Sequence, residues 1–236
     1  MKSVHHICAG FVVAALCAGD PHSVNAQDQS NGAGGTISGR IAVSRNDGLF
    51  EEIMREQERN RYGDHVHSDA RPEPYQLSEK AVVYLISGSK GAKTPPPSTN
   101  PRINQKDLMF RPLVLPITAG TTVDFPNNDD VFHNVFSYSS PKEFDLGRYP
   151  IGKSKKVTFE RPGVVSVYCD IHAYMYATIL VLENPWFATP DKNGGYVIRG
   201  VPEGEYELAF WYGKKLVSSR GVTVKAGQST HIDLEY

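Results

Sequence analysis

The chain has 236 residues, with 25 Lys and Arg against 26 Asp and Glu and a formal net charge of −1. A chain of that length buries either one large β domain or two smaller ones. The near balance of charge excludes a broad basic surface of the kind that holds nucleic acid or anionic lipid.

Met1 and Lys2 are followed by a mostly apolar run from Ile7 to Ala18, then by Val24-Asn25-Ala26 ahead of the polar Gln27-Asp28-Gln29. A positive start, a short hydrophobic region and a small-residue cleavage site, in that order, make residues 1–26 a secretory signal peptide. The apolar run is short for a bilayer span and no other stretch is continuously apolar. The expectation is therefore a periplasmic or secreted protein with no membrane span. A lipid anchor on Cys17 is the alternative, but Leu16 stands in the wrong place for the usual lipidation motif. Cys8 and Cys17 leave with the signal, which makes Cys169 the lone thiol of the mature chain. In an oxidising compartment such a thiol is a liability unless a metal or an intermolecular partner occupies it.

Residues 27–35 are polar and glycine-rich, a flexible leader. Thr36 to Val43 alternates with period two and predicts a strand. From Asp47 to Arg61, Leu49, Phe50, Ile53 and Met54 recur at helical spacing. Asp47 caps the start, Glu51 and Arg55 sit four apart and Gly63 ends the run, which together predict one short surface helix. Asp64 to Ser78 reads as a loop and Ala81 to Ile86 as a buried strand. The proline-rich stretch from Lys93 to Pro101 cannot pair in a sheet interior and marks a domain boundary.

Beyond it come short strands at Leu113 to Ile117, Thr121 to Phe125, Val131 to Tyr138, Lys155 to Phe159, Val164 to Cys169 and Ala177 to Leu182. Turns fall at Ala119-Gly120, Asn127 to Asp130 and Arg161-Pro162-Gly163, the punctuation of a sandwich or barrel. From Asn184 to Tyr236, strands at Tyr196 to Ile198, Tyr206 to Trp211 and Thr230 to Leu234 alternate with glycine turns. That segment is short for an independent core, so it is expected to borrow strands from elsewhere.

The chemistry concentrates in Cys169-Asp170-Ile171-His172-Ala173-Tyr174-Met175, a C-x2-H-x2-M run between two strands. It places a thiolate, an imidazole and a thioether on one tight loop. His133, after the acidic turn at 127–130, supplies a fourth ligand from another strand. Thiolate and thioether are soft donors that hold Cu(I), and imidazole suits both copper oxidation states. Two histidines and a cysteine with a weak axial methionine form the blue-copper set. Zinc accepts two imidazoles and a thiolate but has little use for the thioether. His65 and His67, spaced to share one face of an extended segment, read either as an auxiliary metal site or, more plainly, as exposed loop histidines.

The run Thr118 to Asp129, the triplet His133-Asn134-Val135, Arg161-Pro162-Gly163 and the cysteine loop together resemble a cupredoxin. The loop spacing is similar to that of amicyanin, and the resemblance covers about Pro101 to Glu183. It implies that Asn134 helps to tie the two ligand loops together and that His172 is the ligand nearest the surface, where electrons leave. Coupled copper oxidases of this fold flank the cysteine with histidines, whereas Tyr168 and Asp170 stand here, which points to a carrier and not an enzyme. The segments Thr189 to Ile198 and Val201 to Leu208 resemble a carboxypeptidase regulatory-like module. Such modules open with sequences similar to Gly35 to Arg40 and to Ala81 to Ile86.

The fold expected from these readings is all-β: a cupredoxin Greek-key sandwich inserted into a second, split β-sandwich, with one short surface helix. Residues 36–100 and 184–236 form the two parts of the regulatory-like host, and residues 101–183 form the cupredoxin domain. The expected function is single-electron transfer through one copper per chain, held by His133, Cys169, His172 and Met175. Partners would be a dehydrogenase or a cytochrome docking near His172. A copper-binding or partner-binding module that shuttles no electrons is the alternative from another class. A third reading, a metal-free adhesive sandwich, requires the four ligands to be dispersed in the fold.

Overall fold

A computed structural model describes residues 34–43, 48, 52, 55, 74–86, 95 and 97–236 of the chain. Strand β1 (Gly35–Ala42) is followed by a one-turn helix, α1 (Leu77–Lys80), and by β2 (Ala81–Leu85). Next come β3 (Asn104–Lys106), β4 (Met109–Arg111), β5 (Val114–Thr118), β6 (Thr121–Pro126), β7 (His133–Ser139) and β8 (Lys142–Tyr149). Then follow β9 (Ser154–Phe159), β10 (Gly163–Tyr168), β11 (Tyr176–Leu182), β12 (Phe187–Ala188) and β13 (Gly195–Val201). The chain ends with β14 (Gly204–Tyr212), β15 (Lys215–Val224), β16 (Ser229–His231) and β17 (Leu234–Glu235). Among the described residues the fold is all-β apart from short helical pieces, as the alternating patterns predict.

One sandwich packs a five-stranded sheet, β5-β11-β10-β7-β8, over the pair β6-β9. Its core includes Val123, Phe125, Val135, Phe159, Val165, Val167, Ile179 and Val181. The other sandwich draws strands from both ends of the chain. Strand β1 lies between β13, antiparallel, and β16, parallel, while β2 lies between β12 and β14, antiparallel to both. The C-terminal segment therefore does complete its sheets with strands that precede the first sandwich in sequence. Its core gathers Ile37, Val83, Leu85, Ile198, Leu208 and Phe210 around Trp186.

The two sandwiches meet through strands that bury both faces. Along β2, Ala81, Val83 and Leu85 enter the split-sandwich core, while Val82 points the opposite way into a third cluster. Along β11, Ala177, Ile179 and Val181 enter the other core, while Leu180 and Leu182 join that same third cluster. Met109, Leu113, Val114, Phe187 and Trp211 complete it. A strand with successive side chains on opposite faces must be apolar throughout to be buried on both. This explains the largely apolar AVVYL and ATILVL runs, in which buried Thr178 shares its hydroxyl with Tyr176.

Several expectations are corrected. Strand β1 starts at Gly35, one residue inside the predicted leader, and the stretch read as a loop up to Ser78 ends in α1. The predicted helix at 47–61 lies outside the described residues except for Gly48, Glu52 and Arg55. Of these, Glu52 and Arg55 are helical, and the Glu52 N–H donates to the Gly48 carbonyl at 2.8 Å. The signal segment, His65 and His67 also lie outside the described residues. Strands β8 and β15 went unpredicted because both are edge strands with mostly exposed, charged or small side chains, which blunts the apolar alternation. The hairpin β3-β4 was missed because each strand has only three residues.

Burial ranks two substitutions. Phe210→Ala, at a fully buried position, is expected to cost about 3–5 kcal/mol in chemical denaturation, whereas Tyr138→Ala, at an exposed one, stays within about 0.5 kcal/mol. Gly39→Ala is a sharper probe of the split sandwich. A Cβ there overlaps the Ile232 carbonyl, so this substitution should destabilise the pairing of β1 with the C-terminal strands.

Candidate metal centre

The first of the four predicted ligands opens β7, and the other three lie on the loop between β10 and β11. Strand β10 pairs with both β7 and β11, so the ends of three neighbouring strands converge at one edge of the sheet. Tyr168 pairs with Phe136 on one side and Tyr176 on the other, which brings Cys169 up to the start of β7. The loop is tightened by the Met175 N–H, which donates to the His172 carbonyl at 2.9 Å.

The donor atoms of His133, Cys169 and His172 all lie within 4.8 Å of one another. The two Nδ1 atoms are 3.1 Å apart, and Cys169 Sγ is 3.8 Å from His172 Nδ1. Two N–H groups cannot point at each other across that gap, so at least one ring presents a lone pair. His133 Nε2 lies 2.7 Å from Asp129 Oδ2. A proton on that nitrogen donates to the carboxylate and leaves Nδ1 of the neutral ring free as a ligand atom. Cys169, His133 and Met175 are buried while His172 is half-buried. Two imidazole nitrogens and a thiolate sulfur converging in this way fit a soft or borderline cation.

The surroundings favour the thiolate. Burial pushes the Cys169 thiol up, but hydrogen bonds with His133 and His172 and from the Asn134 N–H outweigh it and bring the pKa from 9.0 down to about 6. For His133, burial works to lower the pKa, yet hydrogen bonds to Asp129 and Cys169 and their charges leave it raised. The Asn134 N–H sits 3.5 Å from Cys169 Sγ, so the backbone of Asn134 makes the link between the two ligand segments. The Asn134 side chain turns elsewhere: its Nδ2 donates to Asp145 Oδ1 at 2.7 Å, and Asn134 Oδ1 has no partner among the described residues. A further tie comes from Arg148, which reaches Asp170 Oδ2 at 3.1 Å beside the cysteine. Asp129, the residue nearest to His133 Nε2, was read from the sequence only as part of an acidic turn. Its spacing of four before the histidine is the one signal that marks it.

Residues 98–182 match the sequence model of a family described as copper binding proteins, plastocyanin/azurin family. The matched segment holds the His133, Cys169 and His172 cluster, so the family match and the donor set together support copper as its cofactor. Among solved structures, a copper-containing nitrite reductase from Thermus scotoductus SA-01 is 31% identical over 41% of this chain and 25% of its own, with a TM-score of 0.36. This chain thus spans about a quarter of the length of that protein. A purple cupredoxin from Nitrosopumilus maritimus is 28% identical over 35% of this chain and 99% of its own, with a TM-score of 0.32. A Cu(I) form of an amicyanin mutant is 18% identical over 43% of this chain and 98% of its own, with a TM-score of 0.34.

The lowered thiol pKa sets a pH dependence in the metal-free protein. Because the folded value lies below that of a free cysteine, the thiolate adds stability above the unfolded value and loses it as pH falls through about 6. Ultraviolet thiolate absorbance of metal-free protein should therefore titrate near pH 6 and not near 9.0. Copper affinity should weaken over the same fall in pH, as protons compete for the sulfur.

Proposed function

We propose that this chain is an exported mononuclear blue-copper protein that passes single electrons between redox partner proteins, with His133, Cys169, His172 and Met175 as its copper ligands. The convergence of His133, Cys169 and His172 within 4.8 Å, in the segment that matches a copper-binding family, carries the reading. Bound copper supplies one-electron exchange between Cu(I) and Cu(II).

The chain's own residues hold the donors in place beforehand. His133 is locked by Asp129 at the buried side, and Cys169 sits under the Asn134 N–H, whose hydrogen bond tunes electron density at sulfur. Met175 is buried in the same core and offers the weak axial thioether. Sheet pairing on both sides of the ligand loop resists rearrangement, which keeps the cost of changing oxidation state low. His172, half-buried, is the most accessible of the set. Phe132 and Ile171 are exposed neighbours of the ligands in sequence, and exposed Ile151 follows Tyr149, which pairs with His133. These exposed apolar side chains are the proposed docking points for a dehydrogenase or cytochrome.

Export rests on the signal read at 1–26, and the split sandwich is read as a regulatory-like scaffold holding the copper domain as an insertion. Tyr168 and Asp170 beside Cys169, in place of histidines, support a carrier over an enzyme.

Loading the mature protein with Cu(II) should give an intense visible thiolate-to-copper band and reversible one-electron voltammetry. Cys169→Ser should abolish the band. Copper bound without any band sinks the ligand assignment. A band with copper locked in one oxidation state favours a non-redox copper-binding module.

A further inference from the structure

Asp129 is buried at the end of the acidic turn, and its carboxylate is spoken for on both oxygens. Oδ2 lies 2.7 Å from His133 Nε2 and accepts from the Leu108 N–H at 2.9 Å, while Oδ1 accepts from the Asp107 N–H at 2.6 Å. Asp107 and Leu108 form the two-residue turn between β3 and β4, and both take left-handed backbone conformations, with φ of 55° and 57°. A turn with positive φ at both central residues suits Asn or Gly and disfavours Leu, so Leu108 needs outside support. The carboxylate gives it by binding the N–H groups that such a turn presents side by side. The turn at 127–131 that carries Asp129 is itself fixed by Asn127. Asn127 Oδ1 accepts from the Asp129 N–H at 2.9 Å, and Asn127 Nδ2 donates to the carbonyls of Val131 and Tyr149.

The other end of the hairpin reaches the second sandwich. Met109 lies in the cluster shared by the two cores. The Tyr75 hydroxyl donates to the Phe110 carbonyl at 3.0 Å, and Arg111 pairs with Glu79 of α1 at 2.7 Å while lying over the Tyr75 ring. An unbroken series of contacts thus joins the residues just before β2 to the imidazole of His133.

We propose that Asp129 is the positioning residue of the copper site: it holds the His133 ring with Nδ1 toward Cys169 and His172, and ties that ring to the hairpin wedged between the two sandwiches. The proposal rests on the copper-ligand reading above. It assigns to the carboxylate two effects that a simple turn cap lacks. A negative charge hydrogen-bonded to a ligand imidazole makes the ring a stronger donor and stabilises the more positive Cu(II) form. A fixed ring orientation also keeps the ligand in place in both oxidation states.

The test compares wild type with Asp129→Asn, each loaded with Cu(II) and equilibrated with a one-electron mediator of known potential. The carboxamide is uncharged and has one acceptor atom, so it cannot serve Asp107 at one atom and Leu108 with His133 at the other. The expected result is a retained visible band with the Cu(I) to Cu(II) ratio shifted about tenfold toward Cu(I), equal to about 59 mV for one electron. A ratio within about twofold of wild type overturns the proposal. A second measurement needs no substitution: in proton NMR of the wild-type Cu(I) form, the His133 Nε2–H should resonate well downfield, as a carboxylate-bonded imidazole proton does. Finding it at the position of a water-bonded imidazole overturns the proposal even if the variant fails to fold. Wild-type protein that takes up copper without a visible band overturns the ligand assignment instead, and does so before any variant is made.

Discussion

The structure depends on two strands that are apolar on both faces. Strands β2 and β11 each contribute alternate side chains to their own core, while Val82 of β2 and Leu180 and Leu182 of β11 join the cluster between the cores. Burying a Leu, Ile or Val side chain stabilises by about 1.5–3 kcal/mol. The shared cluster, with Leu113, Leu180, Leu182, Val82 and Trp211, is therefore a substantial part of what holds the two sandwiches in one arrangement. Strand β11 also forms one side of the ligand loop, so the packing that joins the sandwiches and the geometry of the metal centre share a single element.

At the centre itself the governing fact is competition for protons. His133 and His172 bring two ring nitrogens within 3.1 Å, and the cysteine sulfur lies beside them under a backbone N–H. Burial alone makes ionised groups costly there. Hydrogen bonds with the two imidazoles and from the Asn134 N–H offset that cost, so the thiol gives up its proton more readily than a free one. A site in which the protein has already arranged deprotonated sulfur and oriented nitrogen is one a cation enters with little rearrangement.

The split sandwich is more than a tether. It supplies the residues that grip the β3-β4 hairpin, through Tyr75 on Phe110 and Glu79 on Arg111, and the hairpin turn in turn meets Asp129. The hairpin is thus held both at the turn that meets Asp129 and at its far end. The parallel contacts of β1 with β16 and β17 join early and late strands of the chain in one arrangement.

The all-β class, most of the strands and the grouping of His133 with the C-x2-H-x2-M loop were legible in the sequence, because period-two alternation and ligand spacing are local properties. So was the dependence of the C-terminal segment on earlier strands, since its apolar faces exceed what so short a segment can cover. Edge strands β8 and β15 were not legible, because partners on one side only impose too little burial to write an apolar pattern. The link that Asn134 makes runs through its backbone N–H, and the part played by Asp129 stayed hidden in a turn rich in Asn and Asp. Both depend on which way a side chain points once sheets have paired. By itself the sequence determined which residue types can bind metal and roughly where strands run. Only the tertiary structure decided which N–H groups face Asp129, which N–H faces Cys169, and which strands are buried twice, because those contacts join residues far apart in the chain whose meeting no local pattern encodes.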